Sequence, residues 1–182
     1  MHVTCLYFPR LALELAWRKR PALRSRPVVL LDGAGVTALV TARSPEAADS
    51  GVLAGMQAGQ ARWLCPAAAF VPGDMRAARE LMAQVAAGLL DRGLAIAAEA
   101  RDDHVFVYRG AVASIDHDWL AEIAGRLTGF PVRVVTAGSA AEALSLARLG
   151  RRATRAVAAS AAGGRRPLRR APHAEPLMPA PA

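Results

Sequence analysis

Cysteine is nearly absent from the chain, and Cys5 and Cys65 are all there is of it. They share no metal-ligand spacing, so a cysteine-built metal site is excluded and two reduced, largely buried thiols are expected. Lysine is scarcer still, with Lys19 alone among 23 basic residues. Aromatic residues make up 5%, which leaves few large anchors for a core. No apolar run reaches the roughly 18 residues that span a bilayer. The opening MHVTCLYFPRLALELAW carries no basic stretch ahead of its apolar one, which argues against a secretory leader. A cytoplasmic protein without membrane contact is the expectation. What is present is small and apolar: 53% of the 182 residues are hydrophobic, enough for one well-cored domain and too short a chain for two large ones.

The formal net charge of +8 is unevenly placed. Beyond Gly150 come Arg151, Arg152, Arg155, Arg165, Arg166, Arg169 and Arg170, with Glu175 as the single carboxylate, so the body is close to neutral. Arginine in place of lysine is what a GC-rich coding sequence produces irrespective of function. The tail 150–182 therefore has two readings: compositional drift in a disordered segment, or weak DNA contact through counterion release, without sequence readout.

Along the body, HVTCLYF (2–8) reads as a buried strand ended by Pro9. Residues 11–20 have helical spacing and close on the basic run Arg18–Arg20 before Pro21, as suits a helix C-terminus. RPVVLLD (26–32) is a second strand, GAG a turn, and VTALVTA (36–42) its hairpin partner. SPEAADSGVLAGMQAGQARWLCP (44–66) follows: a short helix, turns at Gly51 and Gly55, and a second helix that ends before Pro66. AFVP is a short extended piece, and Asp74 can cap a long helix with Leu81, Val85 and Leu89 on its apolar face. LAIAAEA and HVFVYRG form two strands around the polar turn Arg101–Asp103. The next helix, capped by Asp116, has Trp119, Ile123 and Leu127 on one face. FPVRVVTAG is a strand, and a last helix starts after Ser139. The class is α+β: a mainly antiparallel sheet with helices on one face, plus a small helical and hairpin subdomain.

This order resembles the Y-family translesion DNA polymerases. Pro21, Leu23, Pro27 and Val28 match that family's Pro-x-Leu-x-x-x-Pro-Val segment. Glu46, Ala47, Gly51, Val52, Gly55 and Met56 match its Glu-Ala…Gly-Val-x-x-Gly-Met fingers motif, and Ala61, Leu64, Cys65 and Pro66 its Ala-x-x-Leu-Cys-Pro. The likeness covers residues 1–149 as palm and fingers, with fingers at about 26–72. The opening CLYFPRLALEL is similar to the ImuB-type branch, polymerase-like accessory proteins of damage-induced (SOS) mutagenesis. Such a resemblance implies repair-polymerase or RecA-like partner proteins and DNA nearby.

The family's chemistry implies two metal ions held by carboxylates, and those positions have changed. The resemblance places Thr4 and Leu6 at the two aspartates of the opening strand, and a leucine cannot bind Mg²⁺. Pro9 stands at the aromatic that polices the sugar. Pro45 and Ala48 stand at the Tyr and Arg that hold the triphosphate, and Ala140 and Leu144 at two lysines. Asp102 and Asp103 lie near the family's Asp-Glu metal pair and are the weak catalytic candidates; as a solvated hairpin turn they need no metal. His104 and the run Asp116, His117, Asp118 contain ligand types, but neighbours on a helix point in different directions, so no metal site is assigned. The expectation is a catalytically inactive, polymerase-like accessory protein without a cofactor. Two rivals stay open: a nucleotidyl transferase using Mg²⁺ on Asp102, Asp103 and a third acid such as Glu99, and a basic non-specific nucleic-acid binder.

Overall fold

The strand Val3–Tyr7 (β1) lies inside a sheet, and its alternating side chains are buried on both sides. In the computed structural model, which describes residues 2–108 and 116–150, three further strands and four helices gather around it. Its neighbours are β6 (His104–Tyr108) and β7 (Arg133–Ala137), both antiparallel to it, with β5 (Ala97–Ala100) beyond β6. The tail arginines Arg151 to Arg170 lie outside the described residues.

Period-two alternation sends Leu6, and Phe8 just past the strand end, to one face of this sheet. There they meet Met82, Val85 and Leu89 of α4 (Met75–Asp91) and Leu120 and Ala124 of α5 (His117–Thr128). Val3 and Cys5 point the other way, onto Ala143 and Ala147 of α6 (Ala140–Arg148). The class is α+β with an antiparallel sheet, as expected, but helices cover both faces. Alanines on α6 let it lie close to the sheet, which a longer side chain would hold off. The face of α5 also differs from expectation: Leu120, Ala124 and Thr128 are buried, while Trp119 is 46% and Leu127 41% exposed. The two stripes lie one residue, or about 100° of rotation, apart, and docking against β7 and α4 selects the one with smaller side chains.

Helix starts follow their caps. The Asp74 carboxylate accepts from Ala77 N (2.9 Å), Asp116 from Asp118 N (2.9 Å) and Trp119 N (3.1 Å), and Ser139 Oγ from Glu142 N (3.2 Å), which satisfies first-turn donors.

A second sheet has β2 (Val28–Leu31) between β3 (Val40–Arg43), antiparallel, and β4 (Ala69–Pro72), parallel. The hairpin partner begins at Val40 and not at Val36; Asp32 Oδ1 accepts from Leu39 N (2.7 Å) and ties off a wider loop. Val28 and Leu30 face Leu13 of α1 (Leu11–Lys19), and Val29 and Leu31 face Ala47, Val52, Ala58 and Ala61. Ala47 belongs to α2 (Pro45–Asp49), and Ala58 and Ala61 to α3 (Ala58–Leu64). Gly51 (φ 88°) and Gly55 (φ 81°) take left-handed conformations between these helices. They swing Val52 inward to full burial, which is why the Gly-Val and Gly-Met pairs stand at that spacing. Helix α1 thus wedges between the sheets, with Leu11 in one core and Leu13 in the other.

Candidate functional site

The exit of β1 is where the expected chemistry should gather. Phe8 N donates to Asp103 O (2.9 Å), and Tyr7 stands opposite both His104 and Arg133. The β5–β6 turn carrying Asp102 and Asp103 is therefore pressed against the end of the opening strand. Thr4 is not at that end: it sits one residue into the strand, with Tyr7 closing it. The expectation that Thr4 ends the opening strand is corrected by this register: the strand ends at Tyr7, an uncharged phenol. Leu6 is fully buried in the α4–α5 core. Thr4 is 3% exposed, and its Oγ1 lies 2.8 Å from Thr136 Oγ1, which is 2.8 Å from His117 Nε2. This hydrogen-bonded chain pins α5 to the sheet and occupies His117, apart from any acidic group.

Asp102 and Asp103 diverge. Nε of Arg79, on α4, donates to Asp102 Oδ1 at 2.6 Å. Asp103 turns to the α6 side: its Oδ1 is 2.6 Å from His104 Nδ1, and its Oδ2 is 3.6 Å from Arg148 Nη2. A carboxylate can only accept, so His104 carries a proton on Nδ1. His104 itself is buried and packs edge-on to Phe106, with ring centroids 4.7 Å apart. Glu99 is ion-paired with Arg101 and accepts from Tyr108 Oη (3.2 Å), so the third acid is occupied as well.

Electrostatics follow this pairing. Burial would raise the Asp103 pKa, but the His104 hydrogen bond and the charges of His104 and Arg148 outweigh it and hold the carboxyl below its ordinary value. Burial, reinforced by Asp103, raises the Tyr7 phenol. Burial first and Asp103 second push the Cys5 thiol up to about 12, against Arg148. Arg148 is itself positioned: Arg133 Nη1 donates to Ala147 O (3.2 Å) at the end of α6, satisfying a last-turn carbonyl.

The remaining positions hold no compensating charge. Pro9 leads into the turn at Arg10, whose φ of 62° is left-handed. Pro45 opens α2, Ala48 is inside it, and Ala140 and Leu144 pack on the α6 core. Asp116 caps α5. Among the described residues, no three His, Cys, Asp or Glu side chains converge as a metal-binding group. The residues present do not fit the Mg²⁺ pair implied by the resemblance, because the acids point to opposite faces and each is matched by an arginine or a histidine. Arg79, Arg133 and Arg148 were not singled out in the sequence. No local signal marks them, since each reaches a partner brought near only by folding.

The sequence profile of the impB/mucB/samB family matches residues 6–157. The chain belongs to the impB/mucB/samB family. Two solved structures with the same fold are "Insertion ternary complex of Dbh DNA polymerase" and "Crystal Structure of DinB from Sulfolobus solfataricus". The first has a TM-score of 0.68 at 18% identity, over 84% of this chain and 47% of its own. The second has a TM-score of 0.65 at 21% identity, over 82% of this chain and 46% of its own. This impB/mucB/samB chain thus spans less than half the length of those polymerases. Comparison with curated proteins gives no match. Among the described residues no helix is long and apolar enough to cross a membrane.

Proposed function

We propose that this family member is a non-catalytic, polymerase-like accessory protein of DNA repair or translesion mutagenesis, cytoplasmic, acting through protein and DNA contacts. In this reading about 26–72 are the fingers, the rest of 1–149 is the palm, and the tail from Arg151 to Arg170 adds weak DNA contact. One observation carries it: the acids nearest the end of β1 are drawn apart, Asp102 to Arg79 on α4 and Asp103 to His104 and Arg148 on α6. Two-metal phosphoryl transfer needs carboxylates converging on ions roughly 3.5–4 Å apart. Internal cations at both aspartates oppose that arrangement, and uncharged Pro45 and Ala48 give a triphosphate nothing to hold.

The reading is tested by titrating the full chain with Mg²⁺ and a deoxynucleoside triphosphate in a calorimeter, alongside primer extension. No heat of ternary binding and no extension are expected. Saturable Mg²⁺-dependent nucleotide binding that Asp103→Ala abolishes would refute it and restore the nucleotidyl transferase alternative.

A further inference from the structure

Positive charge on the described body is concentrated at one corner, away from the end of β1. Where α1 gives way to the 3-10 turn Pro21–Ser25 stand Arg18, Lys19, Arg20, Arg24 and Arg26, all exposed and with no carboxylate among residues 18–26. Basic residues and carboxylates are close to balanced over the described body as a whole, so outside this corner acids are in slight excess. Lys19 is paired with Asp74, and Arg24 Nη2 with Glu14 Oε2 at 3.2 Å. Among the described residues Arg18, Arg20 and Arg26 have no carboxylate partner. Arg18 Nη2 donates to Thr128 O (3.0 Å) and its guanidinium lies 3.9 Å from the Phe130 ring centre, and Arg26 Nη2 donates to Ala67 O (2.9 Å). Backbone carbonyls orient a guanidinium without neutralising it. The α1 dipole accounts for Arg18, Lys19 and Arg20 at the helix end, but not for Arg24 and Arg26, which lie beyond it.

We propose that this α1–turn corner is a second nucleic-acid contact, reading backbone phosphates without sequence. It rests on the proposed function only in taking nucleic acid as the partner. Helix α1 packs on the α4–α5 side of the palm-like sheet through Leu11, whereas Asp103 and Arg148 lie on the α6 side, so the corner is separate from the end of β1. Five residues of 3-10 helix extend about 10 Å at ~2.0 Å per residue, comparable to roughly three phosphates of one strand at ~3.4 Å each. Arginine forks suit phosphate oxygens. An acidic protein partner is disfavoured because residues 18–26 contain none of the exposed large hydrophobics, and protein interfaces are centred on buried apolar anchors.

The test measures, by anisotropy, the affinity of the full chain for a labelled oligo-dT strand and a mixed-sequence duplex between about 50 and 200 mM salt. Neutralising about three phosphate contacts sets a slope of log K on log salt of roughly −2 to −3 from this corner. Arg20→Gln/Arg24→Gln/Arg26→Gln is expected to reduce the slope magnitude by that amount and to weaken both ligands alike. Arg92→Gln/Arg101→Gln/Arg126→Gln, an equal loss of charge elsewhere, is expected to leave it unchanged. Should the corner variant melt early, Arg20→Gln alone is expected to lower the slope magnitude by about one. An unchanged slope in the corner variants, or an equal change in both triple variants, overturns the proposal. So does displacement of the oligonucleotide by polyglutamate as effectively as by unlabelled DNA, which would mark an acidic-protein site. None of these outcomes bears on nucleotide binding or primer extension, so failure here is distinct from failure of the accessory reading.

Discussion

Removing the Asp103 side chain separates the role assigned to it from that of an ordinary turn residue. Asp103→Ala leaves the His104 Nδ1 proton, on a ring that is 8% exposed, without its acceptor. A hydrogen bond to a charged group is worth about 1.5–3 kcal/mol. The carboxylate is 36% exposed, which favours the low end, about 1.5–2 kcal/mol. Arg148, at 3.6 Å and 54% exposed, is too far for a hydrogen bond and contributes under about 1 kcal/mol. The expected order of damage is therefore Asp103→Ala above Arg148→Ala. At about 2–4 °C per kcal/mol for a domain of this size, Asp103→Ala should melt roughly 3–8 °C below the parent at neutral pH. Asp103→Asn isolates the charge. Because the folded-state pKa is lowered, that stabilisation is present above the ordinary carboxylate range and is lost as pH falls through the lowered value. The gap between the parent and Asp103→Asn should close on acidification, read by urea melts across pH. An Asp103→Ala melting point within 1 °C of the parent, on the order of the smallest shift this reasoning permits, or a costlier Arg148→Ala, would refute the assignment.

Two further outcomes follow from the same side of the molecule. Thr136→Val breaks both hydrogen bonds of the Thr4–Thr136–His117 chain and should lower stability by about 1–3 kcal/mol in chemical denaturation; a neutral result would show that the chain is not the element holding α5. Cys5, fully buried and with its thiol pushed up to about 12, should resist an aromatic disulfide reagent at mildly alkaline pH in the folded protein and react only on unfolding. Fast native-state labelling mapped to Cys5 by mass spectrometry would contradict its placement under α6.

Local chemistry was legible wherever a residue acts on its own neighbours. Asp74, Asp116 and Ser139 cap the helices they precede, because a cap bonds to amides two or three residues on. Gly51 and Gly55 mark their turns because the backbone angle there excludes most side chains. The strand-to-Pro9 punctuation was visible too, but the register within it was not: a run of apolar residues does not say which one ends the ladder, and only pairing of Tyr7 with His104 and Arg133 moved that position off Thr4.

By itself, then, the sequence determined the order of elements, their class and the motif order shared with the family, all of which depend on contacts a few residues long. Tertiary structure alone decided that α6 covers the face opposite α4 and α5, and which stripe of α5 is buried. It also decided that adjacent aspartates answer to different helices. Arg79 stands 23 residues before Asp102, and Arg148 comes from the last described helix. Neighbouring side chains in a tight turn leave the backbone in different directions, so where each carboxylate goes depends on which distant cation the packed sheet brings within reach.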